Sequence, residues 1–134
     1  MNERKNISAI TPAHTHGHPE SRLQHEIVLW LQDKGVYCHS VPNEGAGRGG
    51  AVRTMQLTAM GLRPGVADLV VWWPRGRGVE IGYLEVKTRT GVLSERQKSF
   101  RRRCQEAGVP YDVVRSLEDV ENVLAKHLEQ GGGQ

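Results

Sequence analysis

In the tripeptide Glu85-Val86-Lys87 a carboxylate and an ammonium stand two residues apart inside an apolar run that begins at Tyr83. In an extended strand, residues two apart share a face. The two charged groups therefore project together, while Leu84 and Val86 turn the other way, toward a core. Upstream, Asp68 opens a second apolar run, Leu69 to Trp73, and Pro74 to Gly78 supplies turn residues between the two. Antiparallel pairing across that turn brings Asp68 beside Glu85. Two carboxylates held near one point repel unless a cation neutralises them. Hard divalent ions, Mg2+ or Mn2+, favour such all-oxygen sites. An ion held there would lower the pKa of a coordinated water and offset charge on a phosphodiester. A lysine alongside would orient or deprotonate that water, or stabilise the phosphorane-like transition state.

Each signal has an ordinary reading when taken alone. Glu-x-Lys on a strand is commonly a surface ion pair worth little, and an aspartate ahead of a strand is commonly a turn or cap residue. The combination is more specific: a glycine-rich loop, a strand-leading Asp68, a hairpin, then Glu85 and Lys87 in an apolar strand.

The elements that must position these groups are legible from periodicity. Leu23, Ile27, Val28, Trp30 and Leu31 have the spacing of an amphipathic helix over 20–34, closed by Gly35. Val36 to Val41 reads as a strand. Pro42 to Gly50, with four glycines and a proline, reads as a loop. Met55 to Met60 reads as a short helix ended by Gly61. The hairpin follows, with its turn at 74–78 and its return strand over 79–88. Ser94 and Gln97 have capping-box spacing ahead of a helix over 95–107, with Gly108 beyond its end. Tyr111 to Val114 is a last strand, and Ser116 caps a last helix to about Leu128. This order predicts an α/β domain, a small mixed sheet flanked by helices. Residues 1–19 and 129–134 read as tails around a domain over 20–128. His14, His16 and His18 in the first tail lack a carboxylate or cysteine partner, and read as unspecific.

The chain of 134 residues suits one domain, and 37% hydrophobic with 25% charged residues marks it as folded rather than disordered. No apolar run approaches the roughly 20 residues of a membrane span. No signal-peptide core is visible near Met1, so a cytoplasmic protein is expected. Cys38 and Cys104 are then expected as reduced thiols, and without a CxxC pair they do not suggest a zinc ribbon. Net charge is only +3, but Arg96, Lys98, Arg101, Arg102 and Arg103 are clustered, and Arg48, Arg53 and Arg63 precede Asp68. Such clusters suit a polyanion such as nucleic acid, or form a solvated basic face.

Taken together, the motifs resemble the VRR-NUC family of the PD-(D/E)xK nucleases over nearly all of the chain from Glu20 to about Leu124. The resemblance rests on Glu20-Ser-Arg-Leu-Gln24, Val41-Pro-Asn43, the run from Ala59 to Asp68, Tyr83 to Lys87, Gly91 to Gln97, Gly108 and the strand at 111–114. It implies a restriction-endonuclease-like core and metal-dependent cleavage of DNA. Asp68 and Glu85 would be metal ligands, aided by the Val86 backbone carbonyl, and Lys87 the catalytic lysine. Glu20 would be the helix-borne acid, acting directly or through water, with Glu26 as the alternative on the same helix. Gln97 would support the site or a substrate phosphate, or simply close the capping box. Gln24 and His25 are near-site candidates. Arg48, Arg53, Arg96, Lys98, Arg101, Arg102 and Arg103 would contact DNA phosphates.

The sequence departs from the family pattern at Ala67, where proline is usual, and at Glu44, where glycine is frequent. Small members resemble structure-directed endonucleases that act on branched DNA such as Holliday junctions. One centre cuts one strand, so paired incision of a symmetric junction implies a homodimer. Trp30, Trp72 and Trp73 are candidates for its interface, or for the core. The competing expectations are a sequence-specific restriction-like enzyme and a catalytically silent DNA-binding accessory protein.

Overall fold

The computed structural model describes residues 18–41 and 50–132. His14, His16, Pro42, Asn43, Glu44 and Arg48 lie outside the described residues, as do most of the expected N-terminal tail and central loop. The described elements run α1 (Pro19–Asp33), β1 (Cys38–Ser40), α2 (Gly50–Ala59), β2 (Leu69–Arg75), β3 (Gly78–Val86), α3 (Glu95–Ala107), β4 (Tyr111–Val114) and α4 (Leu117–Gly132). The four strands form one mixed sheet in the order β1-β2-β3-β4, antiparallel except for the parallel pair β3–β4. The expected α/β class is the one found.

Alternation along the strands builds the core. Leu69, Val71, Trp73, Leu84, Val86 and Val114 turn to one face and are buried there with Ile27 and Leu31 of α1 and Val120 and Val123 of α4. Burying a side chain of this kind contributes roughly 1.5–3 kcal/mol. The opposite face receives α3 through Phe100, which meets Tyr83 edge-on at 4.9 Å and Tyr111 at 6.0 Å between ring centroids. Helices thus cover both faces of the sheet.

Local signals account for the best-defined boundaries. α1 starts with Pro19, whose missing N–H costs nothing in the first turn. α3 has the full capping box, with Gln97 N–H donating to Ser94 Oγ and Ser94 N–H donating to Gln97 Oε1. It ends at Gly108 in the left-handed conformation, φ +75°.

Three expectations need correction. The hairpin turn is shorter than 74–78: β2 continues through Pro74 and Arg75, and Gly76-Arg77 makes the reversal with Gly76 at φ +56°. A glycine with positive φ at the first central position is the type II′ pattern. Pro74 is tolerated because β1 pairs only with Leu69–Val71, so no neighbour needs its N–H.

α2 begins at Gly50 instead of Met55. Val52 and Met55 are exposed, so no core-facing stripe announces its first half. Finally, α4 runs to Gly132, so residues 129–132, expected in a tail, are helical. The reason is a close approach: a Cβ on Gly131 would lie 2.6 Å from the Gly76 backbone nitrogen, so glycine lets α4 end against the hairpin.

Candidate active site

The hairpin register determines what faces what. Leu69 pairs with Leu84, so one step further along Asp68 stands across from Glu85. Asp68 Oδ2 accepts a 2.8 Å hydrogen bond from the Val86 backbone N–H, which clamps the carboxylate to the end of β3. Glu85 is 2% exposed and Lys87 8%, although both carry charge. Lys87 Nζ lies 3.9 Å from Glu85 Oε2. Such a buried pair is weak evidence for stability, because desolvation offsets the Coulomb attraction. Its burial is better explained by what it does.

Glu85 Oε1 is buried and has no hydrogen-bond partner among the described residues. The Glu85 carboxyl is pushed up from 4.5 to about 8, first by burial and then by the neighbouring Asp68 carboxylate. Lys87 pulls it down and Glu20 raises it further. Two carboxylates forced together, one with an orphaned oxygen, make a hard-oxygen donor set that fits a divalent cation. Among the described residues no group of three or more His, Cys, Asp or Glu side chains is gathered closely enough to hold a metal. The built part is therefore the Asp68–Glu85 pair.

Glu20 reaches this place from the first turn of α1. A Cβ built on Gly91 would sit 3.5 Å from both Glu20 Oε2 and Lys87 Cδ, so acid and lysine stem flank the same glycine. Glu26 is exposed and has no part in these contacts. Gln97 makes two contacts: besides closing the capping box through Oε1, its Nε2 donates to Glu85 Oε2 at 3.2 Å. Gln24 and His25 are half-buried, and their side chains make no hydrogen bond among the described residues.

The basic residues divide. Arg96, Arg102 and Arg103 are exposed on α3 and Arg53 on α2, whereas Lys98 is engaged with Glu95 at 3.3 Å. Trp73 is fully buried and stacks on His127, with ring centroids 5.0 Å apart, so it belongs to the core. Trp30 is half-buried under Lys34, whereas Trp72 is 40% exposed.

Arg115 is the residue that sequence reasoning missed. Directly after β4, its guanidinium donates at 2.6 Å to the carbonyls of both Thr88 and Gly91. It pins the loop that separates Lys87 from α3. No spacing signal marks it, since its partners are backbone carbonyls 24 and 27 residues away.

A mixed α/β sheet with helices on both faces carries the Asp68–Glu85 pair at the open end of its β2–β3 hairpin. The VRR-NUC domain family matches residues 18–118, and the chain belongs to that family. Membership implies a nuclease-type, DNA-processing function. Among solved structures, one described as a VRR_NUC domain protein superposes with a TM-score of 0.62, at 19% identity, covering 84% of this chain and 89% of that one. At that identity the likeness speaks for the fold. No curated protein matches the chain. No helix among the described residues is long and apolar enough to cross a membrane.

Proposed function

We propose that this chain is a divalent-metal-dependent endodeoxyribonuclease that acts as a homodimer on branched DNA such as Holliday junctions. The observation that carries the reading is the orphaned, buried Glu85 Oε1 beside Asp68, with Lys87 in the same pocket of charge. Asp68 and Glu85 would hold Mg2+ or Mn2+, with Glu20 as a further acid. The Val86 carbonyl is the backbone contribution: a strand residue's N–H and C=O point to the same side, and the Val86 N–H points to Asp68. When bound, the ion supplies Lewis-acid polarisation of the phosphate and an acidified water.

The chain's own groups do the rest. Lys87 Nζ orients the attacking water or takes its proton, and donates to phosphoryl oxygens as their charge grows. Gln97 Nε2 fixes the Glu85 carboxylate so that its free oxygen stays directed at the site. Arg53, Arg96, Arg101, Arg102 and Arg103 neutralise backbone phosphates, which positions DNA without reading its sequence. This favours selection by DNA structure. The dimer reading is supported by an exposed apolar patch on the sheet face that also carries Glu85: Tyr37, Trp72, Val79 and Ile81.

The test is cleavage of labelled four-way junction, flap and linear duplex DNA in Mg2+, Mn2+ or EDTA, with Asp68→Ala and Lys87→Ala in parallel. Metal-dependent cutting of branched DNA, lost in both variants, is expected. Cutting of plain duplex at discrete sites would favour a restriction-like enzyme. Binding without cutting in either metal would leave a catalytically silent accessory protein.

A further inference from the structure

Close along the chain to Asp68 and Gln97 lies a concave feature that the cleavage chemistry does not use. A cleft of about 580 Å3 opens between α3 and the segment joining α2 to β2, and its lining includes Arg63, Pro64, Val66, Arg96, Phe100 and Arg103. That volume falls within the roughly 300–1,000 Å3 of sites that enclose a small molecule. Its lining is of two kinds. Pro64, Val66 and Phe100 give an apolar floor, and three guanidinium groups border it.

The cleft is built rather than incidental. Gly65, at φ +91°, lies so close to α3 that a Cβ would come within 2.6 Å of the Arg96 carbonyl carbon and oxygen. One wall is thereby fixed to the first turn of the other. Arg63 is spent on structure, donating to the carbonyls of Thr58 at 3.2 Å and Leu62 at 3.1 Å. Arg96 and Arg103 are different: among the described residues neither side chain makes a hydrogen bond or an ion pair. They stand on one stripe of α3, about one turn to either side of Phe100. Phe100 is held edge-on by Tyr83, so the aromatic floor is rigid.

A duplex passing over the surface needs cations but has no use for a concave apolar floor with an aromatic ring. A flat, apolar body carrying an anion uses both. The walls also lead into the site: Val66 stands two residues before Asp68, and Arg96 directly before Gln97. We infer that this cleft receives one unpaired nucleotide of the DNA, its base against Phe100, Pro64 and Val66 and its phosphates on Arg96 and Arg103. The inference rests on the DNA-nuclease reading and deepens it. The cleft recognises the unpaired base that a branch point offers and a plain duplex withholds. Stacking of one base on an aromatic side chain is worth about five- to 150-fold in affinity.

The test reads binding in EDTA, where nothing is cut. A plain duplex and the same duplex with one unpaired 2-aminopurine nucleotide are titrated with wild type, Ser99→Trp and Thr58→Trp. Ser99 and Thr58 line the cleft and touch none of the catalytic groups. A tryptophan at either position fills the cleft, and thermal melting identifies any variant that does not fold, leaving the other to carry the test.

Wild type is expected to bind the unpaired-nucleotide DNA about tenfold more tightly and to change its 2-aminopurine fluorescence. Both variants are expected to lose the preference and the fluorescence change, with plain-duplex affinity within about twofold of wild type. Equal wild-type affinity for the two DNAs would overturn the inference, as would folded variants that keep the preference. A preference that is lost in the variants, in a protein that cuts no DNA in any metal, would uphold the subsite and refute the nuclease reading. Metal-dependent cutting without any preference would do the reverse.

Discussion

Gln97 joins α3 to Glu85: its Nε2 donates to Glu85 Oε2 at 3.2 Å while its Oε1 accepts from the Ser94 backbone N–H at 2.8 Å. One side chain therefore starts a helix and holds a carboxylate. The two roles separate by substitution. Gln97→Ala loses both and is expected to cost about 1 kcal/mol of stability through the cap alone. Gln97→Glu keeps an acceptor for Ser94 but removes the donor facing Glu85. Its cleavage rate is expected to fall about ten- to a hundredfold, as for other groups that orient metal ligands, with α3 still capped. Denaturant unfolding and single-turnover cleavage check this. Equal activity of Gln97→Glu and wild type would leave Gln97 a capping residue only.

The environment of Glu85 predicts a pH dependence of stability in the metal-free protein. Its carboxyl is raised from 4.5 to about 8, chiefly by burial and then by Asp68. Below about pH 4.5 both folded and unfolded chains hold this proton, and the contribution is fully present. Between 4.5 and 8 the unfolded chain releases the proton while the native one keeps it, so stability falls as pH rises. Glu85→Gln cannot titrate and is expected to remove this part of the slope, visible as a difference between melting curves of the two proteins. At pH 8, Mg2+ or Mn2+ is expected to raise the melting temperature of wild type and to leave Glu85→Gln unmoved. A parallel rise in both would place the ion elsewhere.

Arg115 spans the carbonyls of Thr88 and Gly91 at 2.6 Å each. Both bonds leave from one nitrogen, Nη1, so Arg115→Lys asks whether a single cationic nitrogen suffices, whereas Arg115→Ala removes the bridge outright. Arg115→Ala is expected to cost about 1–3 kcal/mol by leaving the part-buried Gly91 carbonyl unpaired, Thr88 still accepting from the Gly91 N–H at 3.2 Å, and Arg115→Lys to cost less. Both are also expected to reduce kcat more than DNA affinity, because Gly91 lies against Glu20 and the Lys87 stem. Amide exchange at residues 88–91 is the second readout. Unchanged protection with reduced kcat would show that the bridge acts on something other than this loop.

How far the sequence alone carries depends on how local the cause is. α3 is legible to its ends because Ser94, Gln97 and Gly108 are neighbours in the chain. The meeting of Asp68 and Glu85 is legible because a hairpin with a short turn sets its own register. Glu20 is another matter: nothing in the spacing of α1 separates it from Glu26, and only the order of family motifs favours it. Gly131 reads as part of a tail until its close approach to Gly76 is seen. Arg115 and the orphaned oxygen of Glu85 are products of packing between distant segments, which no periodicity encodes.

The apolar patch gives the last prediction. Trp72 and Ile81 are direct cross-strand partners, and Tyr37 packs on Trp72 with ring centroids 4.6 Å apart. Ile81 and Glu85 share a face of β3, about 13 Å apart along the strand. A partner copy docked on the patch would therefore leave the carboxylate end of the strand open to DNA while holding a second centre at a fixed offset. Trp72→Glu and Ile81→Glu each place a charge in that contact and are expected to shift the protein from dimer to monomer in sedimentation equilibrium. Melting should lose the dependence on protein concentration that a dimer confers and otherwise change little, because both side chains are exposed in the single chain. On a four-way junction the monomeric variants are expected to nick single strands at a rate near wild type and to lose paired incision. Monomeric wild type at micromolar concentration would remove the dimer from the proposal. Variants that stay dimeric would move the interface to another face.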